Sequence, residues 1–135
     1  MKINIFGSTG IIGSKTLDII SNYFPKIKVN LLCSNSNVRK LIKQIGIYSP
    51  KYVYLNDITK LSFLKKNIKK NTTILNFNEL KSYLINSKSD FTLLAISGYK
   101  SLNYLDPILT NTQSLGLVSK EAVVSAGHLF NSFTK

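Results

Sequence analysis

A chain of 135 residues, 44% of them hydrophobic, is long and apolar enough to bury a core without staples, which excludes a disordered protein. One cysteine, Cys33, excludes a disulfide framework within the chain and points to a reducing compartment, so the cytoplasm is expected. The net charge is +12, but only Arg39 is an arginine and the lysines are spread out; this reads as a solvated lysine surface, with no nucleic acid and no membrane expected as partners.

The elements follow in alternation. KINIF (2–6) is a short apolar strand rather than the start of a signal peptide. IGSKTLDIISNYF (12–24) sets Ile12, Thr16, Ile19, Ile20 and Tyr23 at helical spacing on one face. KVNLLC (28–33) is a second strand. Asn37 offers an N-cap to a helix over 38–46, with Val38, Leu41, Ile42 and Ile45 as its apolar stripe and Gly46 as its stop. SPKYVYL (49–55) predicts a third strand, DITKLSFLKKNI (57–68) a helix, TTILNF (72–77) a fourth strand and NELKSYLINS (78–87) a short helix. DFTLLAIS (90–97) has the near-continuous apolar run of a strand buried on both faces. SLNYLDPILTNT (101–112) predicts a helix in which Pro107 sits early in a turn or marks a break. SLGLVS (114–119) is a sixth strand and 120–134 a last helix. Strands and helices alternating at this spacing predict an α/β chain. The expected architecture is Rossmann-like and doubly wound: a mainly parallel sheet of about six strands with helices on both faces, residues 1–135 forming one domain.

Gly7, Gly10 and Gly13 stand between the first strand and the first helix, where free backbone N–H groups and the helix dipole favour an anion. A triphosphate loop needs its lysine directly after the last glycine; here Ser14 intervenes, turning Lys15 by about 100° around the helix. The pattern G-x-x-G-x-x-G instead fits a dinucleotide's pyrophosphate, with Ser8 and Thr9 adding hydroxyls at the turn. The second strand ends in CSNSNVRK (33–40) without the acid that accepts from the ribose of NAD. Ser34, Asn35, Ser36, Asn37, Arg39 and Lys40 are donors instead, which suits a 2′-phosphate and favours NADP; as plain loop and cap residues they would look the same.

Catalytic groups are sparse. The six acids, Asp18, Asp57, Glu79, Asp90, Asp106 and Glu121, form no cluster in sequence, and the single histidine, His128, reads as a surface or packing residue. Neither a metal site nor a Ser-His-Asp set emerges, and Cys33 reads as buried and inert. Ser119, Lys120 and Glu121 follow the sixth strand at its carboxyl end, the edge that also carries the glycine loop. They fit a ligand-facing role and an ordinary helix cap equally well.

FGSTGIIG, YSPKYVYL, AISGYKSL and VSKEAVVSAGHLF, in this order and spanning nearly the whole chain, resemble the N-terminal NADPH domain of the 1-deoxy-D-xylulose 5-phosphate reductoisomerase family. The resemblance implies the conversion of 1-deoxy-D-xylulose 5-phosphate to 2-C-methyl-D-erythritol 4-phosphate, by rearrangement and then hydride transfer from NADPH, in non-mevalonate isoprenoid synthesis. It implies a phosphate-binding turn at Thr9, Gly10, Ile11 and Ile12, an asparagine near the 2′-phosphate at Asn37, and cofactor contacts at Gly98, Ser119 and Glu121, with Lys120 on the substrate. The family commonly has Gly-Lys before that asparagine; Asn35 and Ser36 stand here, leaving Arg39 or Lys40 to supply the cation. Ser119 replaces the family's asparagine, and Ser101 a glycine. The family is about three times longer, with an acidic motif for Mn²⁺ or Mg²⁺ in a later segment and homodimeric assembly, so this stretch alone is expected to be catalytically silent. A stand-alone nucleotide-binding module, and another NADP-dependent reductase of the same fold, remain as alternatives.

Overall fold

The computed structural model describes residues 1–133. Six strands, β1 (Lys2–Phe6), β2 (Lys28–Ser34), β3 (Tyr52–Leu55), β4 (Thr73–Leu75), β5 (Ser89–Leu94) and β6 (Thr112–Leu117), form one sheet in the order β4-β3-β2-β1-β5-β6. Every pairing is parallel. The connecting helices are α1 (Ile11–Tyr23), α2 (Val38–Tyr48), α3 (Leu61–Asn67), α4 (Phe77–Asn86) and α5 (Leu102–Asn111), and α6 (Lys120–Phe133) follows β6. The chain winds outward from β1 to β4, then returns to β5 on the other side of β1. The winding direction therefore reverses between β1 and β5, where open α/β sheets bind ligands at their carboxyl ends.

Alternation along each strand builds two cores. On β1, Ile3 and Ile5 join Leu17, Ile20, Val29, Leu32, Leu41 and Leu64 under α1, α2 and α3. Phe6 faces the other way, with Leu31, Leu75, Leu80, Leu84, Leu105 and Ile108 under α4 and α5. Asn4 also lies on that second face, fully buried, and donates to Asn111 Oδ1 at 3.1 Å. The N-terminus of α4 is a full capping box: Asn76 Oδ1 accepts from Glu79 N, and Glu79 Oε1 accepts from Asn76 N.

Four sequence expectations change. The buried stripe of α1 is Gly13, Leu17 and Ile20, whereas Ile12, Ile19 and Tyr23 are substantially exposed. A glycine in the stripe hides the true face from a hydrophobicity pattern. Gly46 does not stop α2, which runs to Tyr48 and ends on Ser49 in the left-handed region (φ 47°). The helix expected over 57–68 divides into a 3-10 turn (Ile58–Lys60) and α3, because Asp57 caps a tight turn through Thr59. Pro107 lies inside α5 without ending it. Residue 134, placed at the end of the last predicted helix, is outside the described residues.

Candidate nucleotide-binding site

The turn after β1 gives its three glycines three different tasks. Gly7 has φ +82°, and a Cβ there would lie 2.5 Å from the carbonyl oxygen of Ala95, so the position requires glycine. Gly13 lets α1 settle onto the turn: a Cβ would fall 2.2 Å from the carbonyl oxygen of Gly7. At Gly10 the nearest atom to an added Cβ is that same oxygen at 3.4 Å, an ordinary contact, so this glycine leaves open space rather than relieving a clash.

Backbone bonds pin the turn. Gly7 N and Ser8 N both donate to the carbonyl oxygen of Cys33 (2.9 and 3.0 Å), and Gly10 N donates to that of Gly7 (3.1 Å). The Ser8 carbonyl accepts from Gln44 Nε2 at 2.8 Å and from Ser14 Oγ at 3.2 Å. Helix α1 opens on Gly10 without a side-chain cap, unlike α2, where Asn37 Oδ1 accepts from Lys40 N. Its first intrahelical bond is Ser14 N to Gly10 O. The amides of Ile11, Ile12 and Gly13 meet no protein acceptor among the described residues. These are donors at the positive end of a helix dipole, behind a residue with no side chain.

A crevice of about 690 Å³ runs along the carboxyl ends of β1, β2, β3 and β5. Of the residues singled out in the sequence, Gly7, Thr9, Gly10, Ser34, Asn35 and Gly98 line it. Thr9 Oγ1 and Ser34 Oγ are 2.7 Å apart, tying the glycine turn to the end of β2. Gly98, with φ +75° and nothing within 4 Å of an added Cβ, opens the opposite wall. The floor holds residues that sequence reasoning missed. Tyr54 donates to Asn56 Oδ1 (3.0 Å), and Asn56 Nδ2 donates to Asn35 Oδ1 (3.0 Å). Tyr104 stands edge-on to Tyr54 at 6.4 Å between ring centroids. Burial pushes both phenols above their ordinary pKa, so they are neutral at pH 7. An aromatic floor with an amide rim suits a flat heterocycle joined to a polar sugar. Only their place at the end of β3 could have marked Tyr54 and Asn56 in the sequence, and nothing local marks Tyr104, which comes from α5.

The sequence profile of the 1-deoxy-D-xylulose 5-phosphate reductoisomerase family matches residues 3–127. The chain belongs to this family. Reductoisomerases from Pelagibacter ubique and Thermoanaerobacter pseudethanolicus are 35% and 32% identical to it, each over 99% of the chain and 35% of the relative. The chain thus spans about a third of the length of the curated relatives it matches. The reductoisomerase of Zymomonas mobilis in complex with NADPH superposes with a TM-score of 0.83 at 26% identity, over 98% of this chain and 35% of that one. A reductoisomerase in complex with NADPH, fosmidomycin and magnesium shares the fold at 24% identity, with a TM-score of 0.86 over 99% of this chain and 34% of that one.

This member of the reductoisomerase family places its remaining candidates outside the crevice lining. Ser8 is fully buried and does not line the crevice, so its hydroxyl is not at the surface of the turn. The side chains of Ile11 and Ile12 are exposed, leaving their backbone as what they offer. Ser36 and Asn37 line a separate cavity of about 570 Å³ with Arg39; Lys40 does not line it. Ser119 is buried, its Oγ 3.3 Å from Gly98 O and 2.9 Å from Glu121 Oε2, so it ties the end of β6 to the loop after β5. Glu121's own backbone N–H, and then the Ser119 hydroxyl, hold its carboxyl below the ordinary value. Lys120 and His128 are exposed. Cys33 is buried, and burial pushes its thiol up, so it is inert. Among the described residues no group of three or more His, Cys, Asp or Glu could hold a metal ion, and no helix is long and apolar enough to cross a membrane.

Proposed function

We propose that residues 1–135 form the NADPH-binding domain of a reductoisomerase that converts 1-deoxy-D-xylulose 5-phosphate to 2-C-methyl-D-erythritol 4-phosphate. The observation that carries this reading is the uncapped start of α1, where the amides of Ile11, Ile12 and Gly13 point past an open Gly10 at the reversal between β1 and β5. The pyrophosphate takes those amides, as anions do at helix N-termini. The adenosine half lies toward Tyr54, Asn56 and Asn35, and the nicotinamide half toward Gly98 and the Ser119–Glu121 tie. The cofactor, once bound, supplies a hydride donor. This chain's residues bind it, orient it and, through the apolar wall at Ala95 and Ile96, keep water from one side.

Lys120, exposed at the start of α6, is the substrate contact, its ammonium available to a phosphate or hydroxyl. A divalent ion does not fit the described residues of this segment, and no step is assigned to one. Mn²⁺ or Mg²⁺ belongs with the longer family members, as do homodimeric assembly and a cytoplasmic location. Titration calorimetry on the 135-residue chain with NADPH and NADH tests the reading. NADPH should bind more tightly, with no turnover of the sugar phosphate by the chain alone. Equal affinity for both, or binding of neither, refutes it.

A further inference from the structure

The residue before Asn37 is the uncharged Ser36, and the structure brings a cation to the same place from elsewhere in the chain. Parallel pairing of Ser34 with Leu55 sets the segment after β3 alongside the segment after β2. Backbone bonds then zip the two together, Asn56 N to Ser34 O at 3.0 Å and Asp57 N to Asn35 O at 2.8 Å. Asp57 Oδ1 accepts from Thr59 N at 3.1 Å and from Thr59 Oγ1, which fixes the 3-10 turn. From that turn the side chain of Lys60 reaches back across the gap, and its Nζ donates to the carbonyl oxygen of Ser36 at 2.9 Å. Ser36, Asn37, Arg39, Lys60 and Phe63 surround the cavity of about 570 Å³, which begins one residue beyond the crevice-lining Asn35. Arg39 lies with its Cζ 5.3 Å above the Phe63 ring, adding a second positive charge to the wall.

We propose that Lys60 is the specificity-determining cation for the 2′-phosphate of the cofactor, supplying at Ser36 a charge that Ser36 itself does not carry. This rests on the proposal that the crevice holds NADPH. An ammonium has three donors, and the Ser36 carbonyl takes one. The remaining charge partner, Asp57 Oδ2, is 3.9 Å away, a loose pair that a phosphate dianion can outcompete. Asp57 does not take the place of the ribose-binding acid of NAD enzymes, since it lines neither the crevice nor the cavity at Ser36. Asn37 uses Oδ1 as the cap of α2 and keeps its Nδ2 for the same phosphate.

The test compares the chain with Lys60→Met, Lys60→Arg and, as a control for general charge, Lys66→Met on exposed α3, each titrated with NADPH and with NADH. Lys60→Met should weaken NADPH about tenfold and leave NADH within about twofold. Lys60→Arg should keep the preference, and Lys66→Met should change neither affinity. An unchanged NADPH-to-NADH ratio in Lys60→Met, or an equal loss for both, overturns the role of Lys60 while leaving the cofactor reading in place. Failure of the unmodified chain to bind NADPH overturns both.

Discussion

Replacing Gly13 by alanine separates packing from ligand approach. Inside a helix, alanine is favoured over glycine by about 1 kcal/mol, so propensity alone predicts a more stable protein. The structure predicts the reverse. The new Cβ would sit 2.2 Å from Gly7 O and 2.8 Å from Ser8 Cα, both backbone atoms. The turn cannot step aside, because the Gly7 and Ser8 amides are held by Cys33 O and the Ser8 carbonyl by Gln44. Relief requires α1 to lift from the sheet, loosening Leu17 and Ile20. Overpacking of this kind costs about 1–3 kcal/mol, and a clash against fixed backbone belongs at or above the upper end. A net loss of about 2 kcal/mol after the propensity gain corresponds to roughly 8 °C in Tm for a chain of this size. Thermal and urea unfolding followed by circular dichroism measures it. The matched variant is Gly10→Ala, whose Cβ meets nothing closer than 3.4 Å. It should lose only about 0.5 kcal/mol, from a poorer N-cap, yet weaken NADPH at least tenfold by filling the approach to the helix amides. A Gly13→Ala chain as stable as the parent, or a Gly10→Ala chain destabilised to the same degree, would refute the division of labour among the glycines.

Gln44→Leu strips the Ser8 carbonyl of its buried amide donor and should cost about 1–2 kcal/mol in urea unfolding, with weaker NADPH binding as the turn loosens. Asn76→Ala removes half of the capping box on α4, a helix that does not line the crevice, and should cost about 1 kcal/mol with cofactor affinity unchanged. Burial pushes the Tyr83 phenol up to about 12 from an ordinary 10, partly offset by hydrogen bonds with Asn4 and Asn30. The unfolded chain therefore gives up this proton first. The stabilisation is complete below about pH 10 and is lost as pH rises from 10 toward 12, so the urea midpoint should fall across that window, and less steeply in Tyr83→Phe.

The fold was legible because its signals are local. Short apolar runs, an Asn cap before α2 and the alternation of elements each depend on residues a few positions apart. What misled was also local. Ile12, Ile19 and Tyr23 imitate a core face on α1, but Gly13 packs directly onto the glycine turn and sets the helix so that Leu17 and Ile20 face inward. The stop expected at Gly46 failed for a related reason: a glycine marks a helix end only where the chain turns left-handed, and here that turn falls on Ser49.

The site divides along the same line. The glycine turn and the end of β2 are each contiguous in sequence, so Gly7, Thr9, Gly10, Ser34 and Asn35 stand out by sequence pattern alone, and they do meet in one crevice. Tyr54 and Asn56 do not, because they reach the crevice only through the pairing of β3 with β2. That pairing gives the chain's charge a specific meaning. Eighteen basic residues scattered along a sequence look like solubility, and sequence reasoning sought the missing cation at Arg39 or Lys40, next to the gap. Strand register instead carries Lys60 across 24 positions to the carbonyl of Ser36. A phosphate pocket needs a cation at the right point in space, and a neighbouring strand supplies it as well as the adjacent residue does. A lost lysine at one strand end is thus a weak argument against phosphate recognition until the segment after the neighbouring strand has been placed.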